Sequence, residues 1–321
     1  MKRWQWAVSA VVVALLVLAA RQVHWAAAAV AICRASLTVL LLALALNGAS
    51  LVLRAIRWWV FLRAAGVGTF PTALRGVIVA CGFNNLVVAN GGEAARTLLV
   101  TRTTGASAAS VLATVALDRL FDPICFALLL FVGPLTVPLP ANLAGLRVVG
   151  TALLVAATVI LIVLLKAPRP TPSATGKGWR HQLSVLHGCI LCLSTARRFG
   201  IALFLSAGVW LLQVAEYHIV ARSLGMTLPF AASVAAMIVI NAGLLLRATP
   251  GGLGYFEFAY ALAASHFGVS TDMAVATALI IQMIEIIPVT LAAVVITLPM
   301  ARPFRSPRAR ATASMSLGGY L

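Results

Sequence analysis

The sequence predicts an all-α fold: a polytopic transmembrane helix bundle of about eight spans, with glycine-broken or re-entrant helices in an internal repeat. Three observations predict it. Hydrophobic residues make up 62% of the 321 residues and charged residues 10%, whereas soluble domains are near half apolar and a quarter charged. The apolar residues fall in runs close to the roughly 20 that a bilayer crossing needs. Finally, the 7 acidic residues avoid the loops. Glu93, Asp118, Asp122, Glu216, Glu257 and Glu285 lie in or against apolar runs, and Asp272 alone reads as an ordinary helix-start acid. A carboxylate at membrane depth costs at least about 2–3 kcal/mol unless it is paired or hydrated, so these acids mark where function is to be sought.

Lys2-Arg3 followed by apolar residues 5–20 reads as a first, uncleaved span, with cleavage after Val17-Leu18-Ala19 as the alternative. Residues 22–34 read as an interfacial segment or as the far end of a long helix. Residues 36–53 form the second span, closed by Arg54, Arg57, Trp58, Trp59 and Arg63 as a basic, aromatic interface belt. Residues 73–90 end in Asn84-Asn85 and Asn90-Gly91-Gly92 and suit a short or re-entrant helix. Residues 92–104 form its returning half. Gly105 closes that half, and Ser107 caps a long helix over 107–132 carrying Asp118, Arg119 and Asp122.

Pro134, Pro138 and Pro140 mark an outside loop, and 147–165 is the next span. The prolines, glycines and bases of 166–182 make a flexible cytoplasmic loop. Residues 179–198 alternate apolar and polar at helical spacing, which suits either a helix lying on the membrane surface or a packed connector. Residues 199–221 span with Glu216 inside. Residues 230–246 span again, before Arg247 and the break Pro250-Gly251-Gly252-Leu253-Gly254. Residues 255–267 form a half-helix with Glu257, and 270–298 a long last helix with Glu285 and a kink at Pro288. The basic residues 299–321 read as a disordered tail, so 1–298 is the membrane domain.

The formal charge of +17 follows from bases at the ends of apolar runs, where the positive-inside rule places them. They attract anionic headgroups at about 1 kcal/mol each, so membrane lipid is the partner implied and nucleic acid is not. The rule puts the N-terminus, 54–75, 166–198 and the tail in the cytoplasm, which requires an even number of crossings. Eight fits if one broken segment crosses and the other re-enters. Of the five cysteines, Cys189 and Cys192 form a C-x-x-C with no second pair, and no metal or other cofactor is expected. No metalloprotease, hydrolase or P-loop motif is present, so no enzyme is expected.

Shifting the chain by 163 residues aligns Gly105, Ser107, Ala113, Thr114 and Asp122 with Gly268, Ser270, Ala276, Thr277 and Glu285, and Arg119 with Gln282. Each helix follows a glycine break with a glutamate just beyond it. Broken helices at matching positions point to a binding site near the midplane. Their freed backbone cannot face lipid and must line a protein-bounded cavity. A helix N-terminus aimed there favours an anion such as phosphate.

The ordered set Arg54-Ala55-Ile56-Arg57-Trp58, Phe83-Asn84-Asn85-Leu86, Gly92-Glu93-Ala94-Ala95-Arg96, Arg102-Thr103-Thr104-Gly105, Asp118-Arg119-Leu120-Phe121-Asp122 and Pro250-Gly251-Gly252-Leu253-Gly254 with Glu257 resembles the membrane region of the lysylphosphatidylglycerol synthase and flippase-like family. The likeness runs over residues 40–298. It implies a multi-pass inner-membrane protein that moves charged or lipid-linked molecules between leaflets. Some members also carry a soluble aminoacyl-transferase domain; this sequence shows none, so synthase activity is not carried over. Where the family often has Pro-Gly after the Asn pair, this chain reads Asn85-Leu86-Val87-Val88-Ala89-Asn90-Gly91-Gly92, with Asn90-Gly91 standing in for the turn.

The candidate binding residues are therefore Asn84, Asn85, Gly91, Gly92, Glu93, Arg96, Asp118, Arg119, Asp122, Pro250, Gly251, Gly252, Gly254, Glu257 and Glu285. Glu93 with Arg96, and Arg119 with Asp122, read either as neutralised structural pairs or as headgroup binders. Arg96 and Arg119 are expected to meet a phosphate, and Glu93, Glu257 or Glu285 to couple protons or gate. Glu216, far from any break, ranks last. Two other functions fit the sequence: a non-transporting scaffold that docks a lipid or glycan synthase through 179–198, and a transporter of a small soluble anion.

Overall fold

The computed structural model describes residues 35–86, 91–136, 145–166, 187–191, 193–244 and 250–298, with isolated positions 26, 30 and 33. Among these, nine helices of more than ten residues follow one another: α1 (Leu37–Ala64), α2 (Phe70–Leu86), α3 (Gly91–Thr104), α4 (Ala108–Thr136), α5 (Gly145–Lys166), α6 (Ala196–Ser223), α7 (Phe230–Leu244), α8 (Tyr255–Ser265) and α9 (Thr271–Thr297). The first span at 5–20, Asn90, Arg247, the loop at 167–182 and the tail lie outside the described residues.

Four helices are long and apolar enough to cross a membrane: α1, most of α5, α6 and α9. At 29 residues α4 has the length, but Asp118, Arg119 and Asp122 interrupt its middle. With 14, 15 and 11 residues, α3, α7 and α8 are short. Eleven residues rise only about 16 Å, against a hydrocarbon core of about 30 Å. Each short helix leans on its neighbour in sequence, α3 on α2 and α8 on α7.

The packing is extensive between α1 and α6, α9 and α2, and α4 and α5. Lipid-type side chains such as Leu41, Val155, Phe204, Leu211, Leu291 and Val295 point outward and are exposed. Small residues permit the closest approaches. A Cβ added to Gly92 would lie 2.0 Å from the Ala80 carbonyl oxygen, so only glycine lets α3 start this close to α2. Gly76 likewise lies under the ring of Trp58.

Three elements depart from the sequence reading; the simplest is Pro134, which lies inside α4 and not in a loop. The belt at 54–63 is not an interface belt: α1 runs straight through it, and Ala55, Trp58, Phe61 and Leu62 are fully buried. Arg54, Arg57, Trp58 and Phe61 stand at i, i+3, i+4 and i+7, one face of a helix, and that face packs inward. Basic and aromatic composition alone does not distinguish an interface from a polar core. In the 179–198 segment, residues 187–191 are helical, Leu191 is buried, and Leu193 is buried with Phe61, Phe121 and Phe199. The chain then breaks at Ser194-Thr195. The Thr195 hydroxyl accepts from the Arg198 backbone N–H at 3.4 Å, so 196–198 open α6 rather than extend a surface helix.

Candidate functional site

Three helices bring six charged side chains into a closed ring of alternating sign. Arg57 of α1 donates from Nε to Asp118 Oδ1 at 2.8 Å. Asp118 of α4 accepts at Oδ2 from Arg96 Nη1 at 3.1 Å. On α3, Arg96 Nη2 lies 2.6 Å from Glu93 Oε2. Glu93 Oε1 accepts from Arg119 Nη2. Arg119 Nη1 donates to Asp122 Oδ2 at 3.1 Å, and Asp122 Oδ1 accepts from Arg57 Nη1 at 2.8 Å, closing the circuit. Arg57 Nη1 also donates to Ser206 Oγ of α6 at 2.7 Å.

Three arginines and three carboxylates leave the ring formally neutral, which is what lets it sit among apolar helices. A buried charge without its partner costs several kcal/mol, and a paired one far less. Arginine suits this role because its planar fork reaches two carboxylates at once. Arg96 is further held by Trp58, whose ring lies 4.7 Å from its guanidinium carbon. Trp58 in turn donates from Nε1 to Thr114 Oγ1 at 3.1 Å.

The ring is asymmetric. Arg57, Asp118 and Arg96 have side chains 2%, 4% and 2% exposed. Glu93, Asp122 and Arg119 are 20%, 28% and 35% exposed. One half is sealed and the other opens outward. Of the two arginines expected at a phosphate, Arg96 is enclosed by Asp118 and Glu93, and Arg119 is the more exposed; the Nε of each is buried without a hydrogen-bond partner among the described residues. The expected local pairs, Glu93 with Arg96 and Arg119 with Asp122, both form. The residues missing from the candidate set are Arg57, which joins these pairs into one circuit from 61 positions before Asp118, and Ser206, which holds Arg57 from 149 positions further on.

The glycine breaks support the ring from behind. The Gly92 N–H donates to Asn84 Oδ1 at 3.0 Å, which fixes the start of α3 just after Gly91. Asn85 reaches the other way, its Nδ2 donating to Thr290 Oγ1 of α9 at 3.3 Å. A side chain begun on Gly251 would lie 3.5 Å from the Asn85 carbonyl oxygen. The turn Pro250–Gly252 therefore rests on the end of α2. Gly251, Gly252 and Gly254 take φ of 62°, 70° and 82°, which glycine alone adopts readily. Glu257 accepts the Gly254 N–H at 2.7 Å and caps α8. That bond is local to the break, and Glu257 takes no part in the ring.

Glu285 lies in a second polar cluster. It interacts electrostatically with Tyr217 and with Arg54. Glu216, which the sequence ranks last, is fully buried there, with Asn47 Nδ2 donating to its Oε2 at 3.4 Å and Glu285 in electrostatic range. The signal for it lay in the sequence: an acid in the middle of an uninterrupted span needs a partner.

The family described as the lysylphosphatidylglycerol synthase TM region matches residues 5–293. A UPF0104 membrane protein of Pyrococcus horikoshii is 31% identical over 139 residues, covering 41% of this chain and 39% of that protein. The chain thus spans about two fifths of the length of that curated relative. The ring-forming residues of α1, α3 and α4 all fall inside the family match, and the chain belongs to the lysylphosphatidylglycerol synthase transmembrane-region family.

Proposed function

We propose that this integral membrane protein is an inner-membrane, flippase-like translocase. Its substrate is an anionic or lipid-linked molecule, such as a phospholipid or a polyisoprenyl phosphate. The half-open ring is the observation that carries this reading. A phosphate arriving at Arg119 competes with Glu93 and Asp122 for one guanidinium. Both carboxylates are partly exposed and can turn outward, so the anion takes their place at the guanidinium while their own charge passes to water. Arg57, Asp118 and Arg96 stay sealed and hold the site's shape. Passage then needs neither a naked charge in hydrocarbon nor an empty cationic site between cycles.

Further support comes from the matched order of elements. α2, α3 and α4 follow the plan of α7, α8 and α9: a short helix, a glycine break, a shorter helix and a long one. Gly105 and Gly268, with φ of 72° and 75°, precede both long helices. This suits a two-unit transporter with its site at the breaks. The family's membrane region, as the sequence resemblance implies, moves lipid-linked molecules between leaflets. The basic ends of the spans suit an inner membrane.

Mass spectrometry of lipids that stay bound through purification tests the proposal. The wild type should retain one class of phosphate-bearing lipid selectively. Arg119→Ala should cut that retention roughly 10- to 100-fold, the worth of about 1.5–3 kcal/mol in a charge-assisted hydrogen bond. Glu93→Gln frees Arg119 and should retain at least as much as the wild type. Identical bulk lipid in all three proteins would remove the basis for the assignment.

A further inference from the structure

The polar seam does not end at the ring. Arg54, one turn before Arg57 on α1, interacts with Asp122 on one side and with Glu216 and Glu285 on the other. It joins the ring to the second cluster. Among the described residues of this seam, the arginines are 54, 57, 96 and 119, and the acids are Glu93, Asp118, Asp122, Glu216 and Glu285. Four positive charges stand against five negative ones. The ring balances itself three to three, so the odd charge falls on Glu216 and Glu285, which share the single Arg54.

Among the described residues the surroundings supply no second cation. On α1, Asn47 donates to Glu216 Oε2. On α6, Tyr217 interacts electrostatically with Glu285, and its ring packs edge-on against Tyr260 of α8. Gln282 sits one turn from Glu285 on α9. The sequence of α7 carries no titratable side chain, and Arg75, the charged residue of α2, is exposed. His218 of α6 contacts Ser233 and Phe230 instead. Glu216 Oε1 is without a hydrogen-bond partner although its residue is fully buried, and so are Glu285 Oε1 and both amide atoms of Gln282, a residue 3% exposed. No three His, Cys, Asp or Glu side chains among the described residues come together to hold a metal ion. Two carboxylates sharing one counter-ion, with an orphaned oxygen on each, fit a proton.

We propose that Glu216 and Glu285 form a proton-binding site that holds one exchangeable proton between them. That proton neutralises the fifth acid of the seam. Arg54 sets the number: with it present the pair keeps one proton, and without it the pair needs two. The proton site stands on the charge count alone; its use to drive transport rests on the translocase reading above.

An apolar carbodiimide, which reaches membrane-buried carboxyl groups and reacts with their protonated form, tests the site without any transport measurement. The full chain is labelled in lipid vesicles from mildly acidic to mildly alkaline pH, and peptides are read by mass spectrometry. Wild type should take up to one label per chain, divided between Glu216 and Glu285 and declining as pH rises. Glu216→Gln balances Glu285 with Arg54 and should abolish label at Glu285; Glu285→Gln should do the same to Glu216. Arg54→Gln should raise the total from one label towards two. Wild-type label at neither glutamate, label unchanged across pH, or label set by sodium rather than pH would each overturn the proposal. Full label on the remaining glutamate of a folded single variant would do so too. If the variants fail to fold, the wild-type pH series and its site assignment decide alone. Loss of lipid selectivity with this labelling intact would overturn the translocase reading and leave the proton site standing.

Discussion

Asp118 is the residue on which the sealed half of the ring depends, because it faces two arginines and has almost no water to replace either. Its Oδ1 serves Arg57 and its Oδ2 serves Arg96. Asp118→Asn removes the charge but keeps the shape, leaving two guanidiniums buried against one fewer anion. Loss of one partner from a buried pair costs about 3–5 kcal/mol. Asp122→Asn removes an equal charge at a side chain 28% exposed, where water takes up part of the loss. Thermal unfolding in detergent should therefore show a much larger drop for Asp118→Asn than for Asp122→Asn. Equal drops would mean that the ring is not divided into a sealed and an open half. The local pairs of this ring were legible in the sequence because i,i+3 spacing places them on one helix face. Arg57 was not, since its partners come from α4 and α6. Its neighbours Trp58 and Trp59 made it resemble an interface anchor. The distinguishing sign is periodic: Arg54, Arg57, Trp58 and Phe61 share a single face.

At the scale of elements, the contact of α2 with α3 decides whether Glu93 and Arg96 reach the ring at all. Gly92 lies so close to Ala80 that an added methyl meets a backbone carbonyl, which no rotamer change can relieve. Gly92→Ala should force the start of α3 away from α2 and cost about 1–3 kcal/mol as an overpacked contact. Gly48 lies within α1, and a Cβ added there would meet nothing within 4 Å. Gly48→Ala should instead stabilise by up to about 1 kcal/mol through helix propensity. Opposite shifts in thermal midpoint are expected from these two substitutions, and a Gly92→Ala protein as stable as wild type would show that α3 is not held where its glycine allows. Apart from the end of α1, which runs on to Ala64, helix boundaries were readable within a few residues because Gly, Pro and Asn punctuate the chain. The seat of the second break on α2 was not, since the packing of Asn85 on Thr290 and of Gly251 on α2 joins positions more than 160 residues apart.

For the molecule as a whole, the proposed cycle needs the two helix-break-helix units to part somewhere. The contact of α2 with α9 is the natural joint. It is extensive, yet the side-chain hydrogen bond in it is a single 3.3 Å contact from Asn85 to Thr290, whereas the ring binds α1, α3 and α4 through six ionic contacts. A joint with one neutral hydrogen bond, worth about 1 kcal/mol, opens far more readily than one with a charge circuit. Asn85→Cys with Thr290→Cys, in a background from which the native cysteines have been removed, places two thiols across it. A short thiol-cleavable linker should then stop lipid movement between the leaflets of reconstituted vesicles, and a reducing agent should restore it. The ring stays intact in both states, so lipid retention should not change. Undiminished movement in the linked protein would place the moving joint elsewhere, against the contact of α1 with α6 or along α5.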